Sequence, residues 1–255
     1  MQRDFSVRVL GCGDAYDSQN HNSGLVVTEG DFDLLIDCGP WLTRSYLETA
    51  ESADELDAIY LTHTHPDHCL GLTTLLNWMD SMKRSKSLKI YVQQKQKSLI
   101  EPLIAFAPWP KTHLSFDVEF EFSDSLSHIG PWKVNTAPTE HAVSNLSLQI
   151  RSVTGTVLFF SGDGSLTEAG AILASESDWV FVECETLEVH PSHGSWRQVE
   201  GLTKKSGSRW RLYHIDPMER VVIACALGSN YQVSIAHEQE ILVAEHVPPI
   251  VELSA

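Results

Sequence analysis

The run Leu61-Thr62-His63-Thr64-His65-Pro66-Asp67-His68 constrains this chain more than any other, because three imidazoles and a carboxylate fall within six positions. A strand-like apolar run, Leu56 to Leu61, precedes it, and a helix-like run, Cys69 to Met79, follows it. A continuous strand cannot use His63 with His65 and also Asp67 with His68, since neighbouring strand residues point to opposite faces. A turn can. Pro66 holds His65 extended and suits the first turn of a helix, which puts Asp67 and His68 at a helix start. Imidazoles with a carboxylate suit zinc or a similar divalent ion. The alternative is a polar loop of solvated histidines, and the strand-to-helix setting argues against it.

The rest of the chain bounds that reading. A length of 255 residues suits one large α/β domain over 1–255, able to bury a core without disulfides. The five cysteines (Cys12, Cys38, Cys69, Cys184, Cys225) form no C-x-x-C pair, so neither a disulfide framework nor a cysteine zinc site is indicated. The start, Met1 to Phe5, lacks a signal-peptide core and no apolar run approaches a membrane span, which makes a cytoplasmic setting the expectation.

Charge separates classes of substrate. Lys plus Arg number 18 against 34 Asp plus Glu, a net charge of −16. Such a chain repels polyphosphate at long range, which argues against bulk tRNA or DNA and for a small anionic or ester substrate whose charge is offset by metal ions. The densest basic segments, Lys83-Arg84-Ser85-Lys86 with Lys89 and Lys204-Lys205 through Arg209 and Arg211, read as solvated helix ends or loops. A homodimer is compatible with the chain, but no pattern encodes an assembly.

Along the sequence, Ser6 to Leu10 alternates like a strand and stops at Gly11-Cys12-Gly13, where Tyr16 stands in place of the third glycine of a dinucleotide loop. Gly24 to Thr28 and Phe32 to Ile36 read as a hairpin, and Trp41 to Ala50 as a helix. Further strands are expected at Leu88–Val92, Phe116–Phe122, Trp132–Thr136, Leu146–Ile150, Thr156–Phe160, Trp179–Val182 and Arg209–Tyr213. Helices are expected over 70–82, Gln94–Ala107, Glu168–Ser175 and Trp196–Lys205, with apolar runs Val221–Ala226, Val233–Ala236 and Glu240–Val243 in the tail. Two similar series of strands with interspersed helices suggest two face-to-face sheets with helices outside, a four-layer αββα sandwich.

Three later segments put ligand types at strand ends: Thr139-Glu140-His141, Ser161-Gly162-Asp163-Gly164 and Tyr213-His214-Ile215-Asp216. With the H-x-H-x-D-H run, this ordered set resembles the metallo-β-lactamase-fold superfamily over nearly the whole chain. Leu10-Gly11-Cys12-Gly13-Asp14-Ala15, Ile36-Asp37-Cys38-Gly39 and Leu56-Asp57-Ala58-Ile59 resemble its branch of tRNase Z and small-molecule phosphodiesterases. The resemblance implies that His63, His65 and His141 hold one metal, that Asp67, His68 and His214 hold a second, and that Asp163 bridges them. The ions would be Zn²⁺ first, with Mn²⁺ or Fe as alternatives. It also implies a catalytic pair, Glu183 lying 20 positions after Asp163 and His193 lying 21 before His214, with Glu185 and His190 as close competitors. Asp67 would help orient the nucleophile besides ligating. Asp37 would either fix a ligand imidazole or serve as a buried turn former.

Three departures matter. Pro66 stands where the tRNase Z pattern has glycine, and no long basic Gly/Pro-rich insertion is present. About 40 residues also follow His214, more than a minimal ending. The expected activity is therefore a metal-dependent phosphodiesterase on a small or cyclic nucleotide-like substrate, using a hydroxide shared by two metals. A lactone or thioester hydrolase and a tRNA 3′-processing endonuclease are the alternatives. A non-catalytic relative is disfavoured by the presence of all seven ligand types. Trp109, Trp132 and Trp196 are pocket candidates or core residues.

Overall fold

In the computed structural model, residues 3–244 are described, so the ends of the 1–255 domain expectation, and the first two residues of the leader argument, lie outside them. The amino-terminal half supplies β1 (Arg3–Gly11), β2 (Gly24–Gly30), β3 (Phe32–Ile36), α1 (Leu42–Leu47), β4 (Ala58–Tyr60), α2 (Pro66–Cys69), α3 (Leu72–Ser81), β5 (Leu88–Val92), α4 (Lys97–Phe106) and β6 (Val118–Phe122). The second half supplies β7 (His128–Ile129), β8 (Trp132–Glu140), β9 (Leu146–Arg151), β10 (Val157–Phe160), β11 (Ser165–Leu166), α5 (Glu168–Ser175), β12 (Trp179–Glu183), α6 (Trp196–Glu200), β13 (Arg209–Tyr213), α7 (Arg220–Leu227) and β14 (Val233–Ile235). The chain then returns to the first sheet as β15 (Ile241–Val243), which pairs antiparallel with β1.

The sheets run β15-β1-β2-β3-β4-β5-β6 and β11-β8-β9-β10-β12-β13-β14, with β7 beside β8. Between them lies one apolar layer containing Val7, Leu34, Tyr60, Leu148, Phe160 and Phe181. A second layer joins the outer face of the first sheet to α1, α3 and α4, and a third joins the other sheet to α5, α6 and α7. This is the four-layer αββα sandwich. The alternation explains it: Leu34 and Ile36 face the other sheet, whereas Leu35 faces the helices. In α3, Leu72, Leu75, Leu76 and Met79 recur at helical spacing and are fully buried, each contributing on the order of 1.5–3 kcal/mol.

Some expectations are corrected. The helix begun at Trp196 ends at Glu200, with Gly201 as its cap, so residues to Lys205 are turn and loop. The run from Val221 to Ala226 is helical, within α7. Trp132 and Trp196 are core residues: the Trp132 indole donates to Glu29 at 2.6 Å between the sheets, and Trp196, at the start of α6, is buried in the layer between the helices and the second sheet. Trp109 is exposed.

What the fold gives the site is direction. β1, β3, β4 and β5 run one way in their sheet, and β8, β10, β12 and β13 run together in theirs. Asp37, His63, His141, Asp163, Glu183 and His214 all fall at or just beyond carboxyl ends of these strands. In open α/β sheets that edge is where ligands bind, because backbone and side chains diverge there from the packed ladder.

Candidate metal centre

Beyond β4 the chain leaves the sheet, and Pro66 occupies the first turn of α2 with His65 extended before it (ψ 150°). Asp67 and His68 are thereby carried on the helix start while His63 and His65 precede it, the turn geometry expected from the sequence. Gly39 permits this packing. A Cβ there would sit 1.9 Å from the Asp67 carbonyl oxygen, so no side chain fits.

Two groups of donor atoms result. In the first, His65 Nδ1 lies 3.0 Å from both His63 Nε2 and His141 Nε2. Asp163 Oδ2 is 3.7 Å from His63 and 4.0 Å from His141. In the second, Asp67 Oδ2 is 3.2 Å from His68 Nε2 and 3.3 Å from His214 Nε2, while Asp163 Oδ2 is 3.3 and 3.4 Å from the same nitrogens. Asp163 belongs to both. Four ligands at 2.0–2.1 Å around a tetrahedral ion stand roughly 3.3 Å apart, so the spacing suits two divalent ions.

Proton positions support the same fit. The Thr62 hydroxyl donates to Asp37 Oδ2 at 2.9 Å, so it accepts from His63 Nδ1 at 3.1 Å and leaves the His63 Nε2 lone pair free. His141 Nδ1 donates to the Ser192 carbonyl at 2.7 Å, and His68 Nδ1 to Asp37 Oδ2 at 2.8 Å. Each of these rings therefore turns its Nε2 toward the centre. His68 Nε2 and Asp163 Oδ1 are buried without a hydrogen-bond partner among the described residues. Orphaned buried acceptors beside converging lone pairs are costly unless a cation satisfies them.

Burial, reinforced by the neighbouring imidazoles, holds His63 well below its ordinary pKa, and burial lowers His65 and His141 also. They are neutral, the ligating form. For Asp163, burial acts against ionisation, but the charge of His214 and His68 outweighs it and keeps the carboxyl well below the usual range. Asp67 is likewise depressed, burial being overcome by His68 and His214. Asp37 and His214 both have positive φ, 62° and 54°, an uncommon conformation for residues with a Cβ that clusters at functional sites.

At the rim, His193 Nδ1 lies 2.7 Å from Glu183 Oε1 and 2.6 Å from Glu185 Oε2. Glu183 is fully buried, and its other oxygen accepts from the Gly164 and Gly194 amides at 2.5 and 2.6 Å. Sequence spacing offered Glu183 with His193 or Glu185 with His190. Here both carboxylates converge on His193, and His190 Nδ1 accepts instead from the Ser192 amide at 3.3 Å. Burial would lower the His193 pKa, but the hydrogen bond to Glu183 and the Glu185 carboxylate beside the ring raise it to about 10. The inter-sheet staples Gln93 and Gln96, and Asn145, which ties the His141 loop to the Asp163 turn, have no signature in the sequence, since polar residues after strands carry none until their partners are known.

The architecture is the metallo-β-lactamase fold. It aligns with the metallo-β-lactamase fold protein YhfI from Bacillus subtilis at a TM-score of 0.78 and 20% identity, covering 95% of this chain and 100% of that one. It aligns with the short form of human tRNase Z at 0.74 and 19%, covering 93% and 98%. A diphosphatase from the PhnP family gives 0.74 and 18%, covering 94% and 98%. Residues 5–234 match the family model described as anti-Pycsar protein Apyc1, and the chain belongs to that family. Among curated relatives, the ribonuclease Z of Clostridium acetobutylicum is 27% identical over 157 residues, 58% of this chain and 50% of that protein. That of Azobacteroides pseudotrichonymphae is 33% identical over 106 residues, 41% and 36%. The chain thus matches a third to a half of these relatives' lengths.

Proposed function

We propose that the chain, read as one hydrolase domain over 1–255, is a dinuclear metal-dependent phosphodiesterase acting on a small or cyclic nucleotide-like phosphodiester. The observation that carries this is the pair of donor groups sharing Asp163 Oδ2, with a carboxylate-clamped imidazole at their rim. His63, His65 and His141 would hold one ion, Asp67, His68 and His214 the other, with Asp163 between. Zinc is the first expectation, with manganese or iron as alternatives, and the setting cytoplasmic. Bound divalent ions supply Lewis-acid charge neutralisation and water activation near neutral pH.

The chain's own groups do the rest. The second oxygen of Asp67, which has no hydrogen-bond partner among the described residues, would accept a hydrogen bond from the attacking water and aim it. His193, kept cationic by Glu183 and Glu185, gives a proton to the leaving oxygen as the ester bond breaks. Its charge also stabilises developing negative charge on the phosphoryl group. Between His141 and Asp163 the chain is taken up by β9, β10 and their turn, which together with the −16 charge favours a small substrate over tRNA.

The test pairs metal analysis with substrate comparison. Close to two equivalents of metal, turnover of bis-p-nitrophenyl phosphate and of 3′,5′-cyclic nucleotides, and loss of both metal and activity in His65→Ala are expected. Faster turnover of an acyl-lactone than of any phosphodiester would overturn the substrate class.

A further inference from the structure

The three histidines of the first donor group come from both sheets: His63 and His65 follow β4, whereas His141 follows β8. The 3.0 Å separation of His65 Nδ1 from His141 Nε2 therefore depends on how the two sheet edges are held together. Close to them lies Gln93, fully buried, immediately after β5. Its amide nitrogen donates to the Thr62 carbonyl at 3.1 Å and to the Ser144 carbonyl at 2.6 Å, and its oxygen accepts from the Ser144 hydroxyl at 2.7 Å. Gln96, one short turn later and also buried, donates to the same Ser144 carbonyl at 2.7 Å. Thr62 adjoins His63, and Ser144 is three residues beyond His141. The next residue, Asn145, donates to the Ser161 carbonyl at 2.9 Å and accepts from the Asp163 amide at 3.2 Å. Ser144 and Asn145 thus connect the His63 turn, the His141 loop and the Asp163 turn.

We propose that Gln93, assisted by Gln96, is a positioning residue that presets the distance between the His63–His65 pair and His141 and so tunes metal affinity at that group. The inference rests on the metal-centre reading above. Its physical basis is that both amide hydrogens of one side chain are committed to carbonyls of two separate ligand-bearing segments. A metal ligand displaced by a fraction of an ångström loses affinity, and partners that orient ligands are typically worth 10- to 100-fold. The second group is oriented by other residues, Asp37 on His68 foremost, so the effect should be selective.

The test is stepwise Zn²⁺ titration of chelator-stripped protein by calorimetry, with the visible spectrum of the Co²⁺ form as a second readout. Gln93→Met keeps the volume and removes both donors. It should weaken one of two sites by roughly 10- to 100-fold and alter one cobalt band set, leaving the other site within about threefold. Gln96→Ala, which removes one donor to the Ser144 carbonyl, should give a smaller shift at the same site and decides the matter if Gln93→Met does not fold. Tyr60→Phe is the control for plain inter-sheet stability: it deletes a 3.1 Å bond to the Leu146 carbonyl and should lower the Tm with both affinities unchanged. Equal weakening of both sites, or unchanged affinities in folded Gln93→Met, overturns the proposal. A wild-type protein that binds no metal overturns the centre itself.

Discussion

Replacing Asp37 by Asn turns the acceptor of His68 Nδ1 into a donor and should weaken one half of the metal centre. The Asp37 carboxylate accepts from the Thr62 amide and hydroxyl and from His68 Nδ1, all between 2.8 and 3.1 Å. Asn is nearly isosteric and tolerates the φ of 62°, so the backbone survives. Its carbonyl oxygen, in the place of Asp37 Oδ1, can still take the Thr62 amide and hydroxyl, which lie 2.8 and 3.1 Å from that atom. Its NH₂ then confronts the His68 Nδ1–H, donor against donor, and the ring is relieved only by moving its proton to Nε2. That atom faces Asp67 and Asp163 at 3.2 and 3.3 Å, and once protonated it cannot ligate. Loss of a charge-assisted bond of this kind costs about 1.5–3 kcal/mol. At about 1.4 kcal/mol per tenfold, this is roughly a 10- to 100-fold loss of affinity at the Asp67–His68–His214 group. Calorimetric titration with Zn²⁺ should show one unperturbed and one weakened site. Two sites within threefold of wild type would refute the claim that Asp37 sets the His68 tautomer.

Three further outcomes follow from the same geometry. His193→Ala should retain metal but slow esters with poor leaving groups by about 10²- to 10⁴-fold, more than p-nitrophenyl esters; equal slowing of both, measured as kcat/KM, would remove its role as acid. The raised His193 pKa means the proton is held at neutral pH and lost as pH rises through about 10. Glu185→Gln should move the basic limb of the pH–rate profile of a poor-leaving-group ester to lower pH, and an unmoved limb would mean that Glu185 does not hold that proton. Gly39→Ala forces a Cβ onto the Asp67 carbonyl and should cost about 1–3 kcal/mol in Tm-derived stability together with metal content; a normal melt with two bound metals would contradict the close packing of α2.

Local chemistry made a large part of this molecule legible in one dimension. Pro66 forces an extended His65 and starts α2, so the strand–turn–helix around His63 to His68 is written in six neighbouring residues. The hairpin of Gly24 to Thr28 with Phe32 to Ile36 is likewise legible, and the continuous apolar run Leu34 to Ile36 is buried on both faces. The layer architecture follows from two such strand series needing each other's apolar faces. Boundaries were less readable: Trp196 to Lys205 continues a helical pattern that Gly201 ends, and the solvent exposure of α7 hides its helix signal behind a plain apolar run.

Relations across the two sheets are decided only in three dimensions. Sequence spacing could not choose between Glu183–His193 and Glu185–His190, because it carries no information on which side chains a loop folds inward; the structure turns both carboxylates onto His193. It could not say whether Asp37 merely ends a strand or fixes His68, since that depends on a ring 31 positions away. Nor could it read Gln93, whose partners lie 31 and 51 positions distant. The physical reason is common to all three. Ligand types and turns arise from neighbouring residues and their local sterics, whereas hydrogen-bond partners are assigned by tertiary packing, which brings the ends of distant strands to one edge.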